Sequence, residues 1–282
     1  MSVVGVGTWQ WGGEWGHDFQ QAEVDAMLDE AEELGINLID TAECYGDHLS
    51  ERLIGDYLRR RARGRWVVAT KFGHKFHSFM NRTEDFTVEG VREQLELSLK
   101  ALGVERVDVY QFHSGNDGWF ENEELWLMLE EQKRLGKVGH LGISILGVGS
   151  ERQAREAARV GAEVLQVVYN RLDRRPEQMY FPHAERDGLG VLARVPLASG
   201  LLSGKYARGV EFGAGDFRST VERAKLEAQM EEVERLRGTE VPEGTAMAEW
   251  ALRWCLEREV VSAVIPGCKS VEQVKVNARA GG

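Results

Sequence analysis

Residues 35–60 read GINLIDTAECYGDHLSERLIGDYLRR, and this stretch decides the fold. Leu38–Asp40 closes a short apolar run without polar alternation, as in a parallel strand covered on both faces. A polar loop follows, and a helix is predicted over Ser50–Arg60. The same unit recurs along the chain. Further strands are predicted at Val3–Gly7, Trp66–Lys71, Val107–His113, Val138–Ser144, Val164–Val168, Gly190–Arg194 and Ser262–Pro266. Helices are predicted at Gln20–Leu34, Thr87–Leu102, Glu121–Leu135, Ser150–Val160, Glu177–Asp187, Val221–Leu236, Ala246–Glu257 and Val271–Ala280. In Thr87–Leu102 the apolar positions Val88, Val91, Leu95, Leu99 and Leu102 are spaced by three and four, with Thr87 as N-cap and Gly103 past the end. Strand–helix alternation of this kind predicts an α/β fold, a single-domain (β/α)8 TIM barrel over residues 1–282.

Composition agrees with a globular enzyme-sized chain: 43% hydrophobic and 29% charged over 282 residues. The net charge of −11 argues against nucleic acid or an anionic membrane as the main partner. The basic run Arg59-Arg60-Arg61, with Arg63, reads as a charge-favoured helix C-terminus. No apolar stretch reaches the roughly 18 residues of a membrane span, and no signal peptide is expected at Met1–Gln10. Three cysteines, Cys44, Cys255 and Cys268, lack CxxC spacing, so a cytoplasmic location without a disulfide framework is expected. His48, His74 and His77 have no carboxylate cluster to complete a metal site, and no metal is expected.

Catalytic groups of this fold gather at the C-terminal ends of the strands. There Asp40, Lys71 and His113 close otherwise apolar runs, and Tyr45 stands in the loop after the second strand. A buried charge is costly unless paired, so three such residues converging on one face mark a site. Carbonyl reduction needs a proton donor at the substrate oxygen. Tyr45 is the candidate acid, Lys71 is expected to lower its pKa, Asp40 to anchor Lys71, and His113 to orient the carbonyl.

At these residues the chain resembles the aldo-keto reductase superfamily. The run Asp40-Thr41-Ala42-Glu43-Cys44-Tyr45-Gly46, with Ser50-Glu51 and Gly55, is similar to that family's strand-two signature. Ala69-Thr70-Lys71 and Asp108-Val109-Tyr110-Gln111-Phe112-His113 match its next two motifs. The resemblance runs from Gly5 to Asn277 and implies NADP(H) bound without a Rossmann domain. Consistently, Gly5 and Gly7 are followed by Gln10 where a dinucleotide fingerprint needs a third glycine.

The resemblance places Ser144 and Gln166 at the nicotinamide amide. It continues through Arg194, Pro196, Leu197, Ser199 and Gly200 to Lys205 at the pyrophosphate, with Gly7, Thr8 and Trp9 leaving strand one toward the same face. It assigns Lys269 and Gln273, after Gly267, to an adenosine 2′-phosphate and Asn277 to adenine, whence NADPH is expected over NADH. Ile145 and Val276 depart from the family's usual polar residues. Trp9, Trp11 and Trp15 crowd the loop after strand one, where they would wall a pocket for an apolar carbonyl substrate or simply pack. The loops Gly12–Phe19, Gly73–Phe86, Gly115–Phe120 and Ala198–Phe217 would shape specificity. The last is the longest irregular segment, with five glycines, and is expected to be mobile. Two rivals stand beside the reductase: a cofactor-sensing subunit of an assembly, and a lyase using Lys71 as a Schiff-base nucleophile.

Overall fold

The computed structural model describes residues 1–61, 66–147 and 149–282; Arg63 of the basic run lies outside them. In chain order the strands are β1 (Val6–Gly7), β2 (Leu38–Asp40), β3 (Val67–Phe72), β4 (His74–Ser78), β5 (Asn81–Glu84), β6 (Val107–His113), β7 (Val138–Ser144), β8 (Ala162–Val168), β9 (Gly190–Arg194) and β10 (Val261–Ile265). Eight of them form one parallel sheet in the order β1-β2-β3-β6-β7-β8-β9-β10. Parallel bridges Val4↔Val264 and Gly7↔Gly267 join the first strand to the last and close the barrel. The expected first strand, Val3–Gly7, thus shrinks to two regular residues, because Gly5 and Gly7 must sit almost in contact with the last strand. A Cβ on Gly7 would lie 2.6 Å from the Ile265 carbonyl oxygen.

The apolar runs hide a period of two. On β3, Val67 and Lys71 share a face; on β2 so do Leu38 and Asp40, and on β8 Val164 and Gln166. Leu38, Leu192, Ala263 and Ile265 form a small buried apolar layer, with Val67 and Val164 packed against it. Toward the C-terminal ends of the strands the inward side chains become Asp40, Lys71, Gln111 and Gln166, all buried. The barrel is therefore apolar at one level and polar at its C-terminal end, while the opposite strand faces pack under the helices in the main core.

The surrounding helices follow the sequence reading with local corrections. Thr87 caps Val88–Leu102 by accepting from Gly90 N at 3.1 Å, and Gly103 ends it at φ 65°. The helix expected over Ser150–Val160 is only Glu151–Arg155 followed by a 3-10 turn at Ala158–Val160, whose tighter winding brings Gly161 into its left-handed cap. The helix expected over Glu177–Asp187 divides into Pro176–Met179 and Phe181–Asp187, because Pro182 has no N–H to continue the first ladder. The expected loop 73–86 is instead an antiparallel hairpin, β4 paired with β5. The C-terminal end of the segment 198–217 is joined to the loop after β1: Trp15 bridges Asp216, Gly16 N donates to Gly215 O at 3.0 Å, and Phe217 N donates to Glu14 O at 3.1 Å.

Candidate active site

Strand register brings the candidate residues Asp40, Lys71 and His113 to one end of the barrel. Lys71 of β3 is paired with Gln111 of β6, His113 with Ser144 of β7, and Ser144 with Gln166 of β8. Tyr45 is carried on a loop fastened at both ends. Ser50 Oγ donates to Thr8 Oγ1 at 2.8 Å and accepts from Thr41 Oγ1 at 2.9 Å, while buried Glu51 accepts from Thr70 Oγ1 at 2.5 Å. Gly12 lets the first loop touch this one, since a Cβ there would lie 2.6 Å from the Tyr45 carbonyl carbon.

Lys71 is fully buried and donates to Asp40 Oδ1 at 2.7 Å, to Thr41 O at 2.6 Å and to the Tyr45 hydroxyl at 3.3 Å. Burial pulls its pKa down, but the Asp40 carboxylate and Tyr45 outweigh that and the net direction is up, so the ammonium stays charged. A neutral amine, which Schiff-base attack requires, is disfavoured there. The second Asp40 oxygen accepts from Gln166 Nε2 at 2.7 Å and from Gln111 Nε2 at 3.2 Å. Gln166 in turn accepts from Ser144 Oγ at 3.2 Å. Gln111 was not singled out by the sequence; the usable signal was an amide inside the apolar strand Val107–His113.

Tyr45 departs from expectation in its acidity. Burial is the largest influence and pushes the hydroxyl up to about 12; Lys71 opposes this without reversing it. The sequence named the lysine correctly as a lowering influence but not the desolvation that exceeds it. His113 is held well below its ordinary pKa by burial first, then by His74, Lys71 and nearby arginines, so the ring is neutral. Its ring lies 6.2 Å from that of Tyr45, edge to face. Its Nδ1 is 3.7 Å from Cys44 Sγ, whose thiol burial keeps protonated. A thiol donating to Nδ1 leaves the proton on Nε2, the tautomer that can donate to a carbonyl. Glu43, Cys44 and His113 hold potential ligand atoms within 4.8 Å of one another, but Arg82 and Lys71 place positive charge against Cys44, an environment that opposes a dication.

A cavity of about 340 Å³ opens beside Tyr45. It is lined by the expected Gly7, Thr8, Trp9, Asp40, Gln166, Arg194, Pro196, Leu197, Ser199, Gly200, Lys205, Gly267, Lys269, Gln273 and Asn277. Ser144 does not line it but donates to Gln166, which does. Trp9 and Trp15 are in the wall, whereas Trp11 is fully buried in the core. Arg218, absent from the sequence expectation, also lines the cavity and is fixed by a bidentate contact to Asp216.

The lining suits an anionic dinucleotide. Arg194, Lys205, Arg218 and Lys269 face Asp40 and Glu272, an excess of positive charge on an acidic protein. Arg194 Nε is buried without a partner. Val195, Ala198 and Ser199 hold φ of 55°, 47° and 56°, a costly conformation for residues with a Cβ, and Gly200 follows at φ 91°. Such a kinked run turns backbone groups toward a cavity and is a recurring phosphate cradle. Lys269 and Gln273 stand at the start of Val271–Ala278, where Ser270 is the N-cap. In this structure Lys269 Nζ donates to Trp15 O at 2.7 Å and Lys269 N to Gln273 Oε1 at 2.9 Å. Among the described residues no helix is long and apolar enough to cross a membrane.

Known proteins share this frame. The chain is 29% identical to the NADH-specific methylglyoxal reductase of Escherichia coli, over 99% of this chain and 90% of that protein. It is 28% identical to a probable voltage-gated potassium channel subunit beta of rice, covering 99% and 87%. The solved glycerol dehydrogenase of Gluconobacter oxydans superposes with a TM-score of 0.83 at 29% identity, covering 100% of this chain and 87% of that one. The model of the Aldo/keto reductase family matches residues 3–281, and with the barrel and its strand-end residues as described, the chain belongs to that family of nicotinamide-dependent oxidoreductases.

Proposed function

We propose that this protein reduces an aldehyde or ketone to the alcohol with NADPH, Tyr45 giving the proton. The observation that carries the reading is the Lys71 ammonium, anchored on Asp40 and donating to the Tyr45 hydroxyl. Because Lys71 donates to that oxygen, the hydroxyl's own proton is left for the substrate. A nicotinamide cofactor held by the cavity lining would supply a hydride for the carbonyl carbon. As the oxygen gains charge, Tyr45 protonates it and Lys71 stabilises the phenolate left behind. Neutral His113 donates to the same oxygen and orients it. Trp9, stacked on Tyr45 at 6.3 Å and 27°, walls the site and helps exclude water.

NADPH is preferred over NADH in this reading because Lys269, at the rim of the cavity, can exchange the Trp15 carbonyl for a 2′-phosphate, with Arg218 and Lys205 adding positive charge nearby. The E. coli relative carries the opposite specificity in its name, so the preference is tested directly on Lys269. Three buried, unpaired cysteines suit a reducing cytoplasm. A second reading, a cofactor-sensing subunit with little turnover, draws on the rice relative. The test is NADPH oxidation at about 340 nm against a panel of aldehydes and ketones, in native protein and Tyr45→Phe. Turnover that collapses in the variant, with NADPH still bound, supports the enzyme. NADPH binding without turnover on any carbonyl favours the sensor.

A further inference from the structure

Glu14 is among the most enclosed carboxylates of the molecule, 1% exposed, and has no place in the catalytic account above. Its side chain collects donors from two separate segments. Trp9 Nε1 donates to Oε2 at 2.8 Å, Met80 N donates to Oε1 at 2.9 Å, and Arg82 forms an ion pair with Oε2. Met80 lies between the strands of the β4–β5 hairpin and Arg82 is on β5. The Glu14 main-chain oxygen meanwhile accepts from Phe217 N at 3.1 Å, and Phe217 packs on Trp9 at 4.7 Å. A carboxylate buried to this degree is tolerated only when its lone pairs are filled, and here they are filled from the hairpin on one side and from Trp9 on the other.

We infer that Glu14 is a positioning residue of the carbonyl site: it sets the plane of Trp9 over Tyr45 and clamps the β4–β5 hairpin to the loop after β1. The inference rests on the reductase reading for its kinetic consequence, but the clamp itself does not. At its base the hairpin is held by His74, which bonds the His113 carbonyl oxygen at 2.7 Å and Glu43 Oε1 at 2.9 Å, and by Glu84, which accepts from Trp119 Nε1 at 2.8 Å; Glu14 is what reaches its turn end. Its residues are half-buried or exposed, its turn is made by Met80 at φ 54° without a glycine, and Phe79 and Met80 are each 42% exposed. With the Glu14 side chain removed, Arg82 loses its carboxylate, Met80 N its acceptor and the Trp9 indole its anchor at once.

Two measurements on Glu14→Ala and Glu14→Gln decide the matter. Amide hydrogen exchange without any ligand is expected to speed up in residues 74–84 of Glu14→Ala by about tenfold or more, while Val107–His113 in the core is unchanged. Unchanged exchange in 74–84 overturns the clamp. Steady-state kinetics at saturating NADPH are expected to show KM for the carbonyl rising about tenfold in Glu14→Ala, with kcat falling much less. Glu14→Gln, which still offers an oxygen to Trp9 or Met80, should recover part of that loss. An unchanged KM in Glu14→Ala, with the hairpin loosened, overturns the positioning role. A native protein that turns over no carbonyl sinks the reductase reading instead, and the exchange measurement still decides the clamp.

Discussion

The Lys71 ammonium lies 3.3 Å from the Tyr45 hydroxyl and 5.0 Å from the centre of its ring, so one buried cation meets both the reacting oxygen and the π-face of the candidate acid. Removing that oxygen while keeping the ring isolates the proton transfer. Tyr45→Phe should lower kcat by about 10²–10⁴-fold. The dissociation constant for NADPH, read by tryptophan fluorescence quenching, should stay near native. A variant that keeps native kcat would remove Tyr45 from the acid role.

The acidity of Tyr45 sets a pH dependence. Reduction consumes the protonated hydroxyl, and burial pushes its pKa up to about 12, so the competent form persists well above the ordinary tyrosine range. His113, held well below its ordinary value, stays neutral throughout. The kcat for reduction should therefore be flat from about pH 6 to about pH 10. Alcohol oxidation, which needs the phenolate, should rise with pH over the same range. A basic limb in reduction centred near neutrality would mean that another group gives the proton.

Asp40 is the counter-charge of a lysine with no exposed surface. Asp40→Ala strands Lys71 and also deprives Gln111 and Gln166 of their shared acceptor. Loss of one partner of a buried pair costs about 3–5 kcal/mol, so urea unfolding should shift by an amount of that size. A shift within the usual range of a surface substitution would show that Lys71 is solvated or neutral in the folded state.

Lys269 tests the cofactor reading. A charge-assisted contact to a 2′-phosphate is worth about 1.5–3 kcal/mol, so Lys269→Ala should weaken NADPH about tenfold to a hundredfold and leave NADH nearly unaffected. Equal losses for the two cofactors would assign Lys269 to holding Trp15 and the 198–217 segment, which it touches through the Trp15 carbonyl.

Much of the site was legible because parallel topology does the placing. Once Asp40, Lys71 and His113 are read as strand ends, the barrel brings them to the same rim whatever the loops do. The interior was less legible. Gln111 and Gln166 are far apart in the chain, and their sharing of Asp40 depends on strand register. The hairpin at 74–84 escaped because His74-Lys75-Phe76-His77-Ser78 has no strong apolar alternation and its turn uses Met80 where a glycine or asparagine would have signalled it.

The sequence by itself determined the strand–helix rhythm and the gathering of Asp40, Lys71 and His113 at one end of the barrel, since each depends on local periodicity and on which residue closes an apolar run. Only the tertiary structure decided the direction of the Tyr45 pKa, the approach of Cys44 to the His113 ring and the junction of Glu14 with Arg82. Each of these depends on how much water is excluded and on contacts between residues up to 69 positions apart, quantities that no local pattern carries.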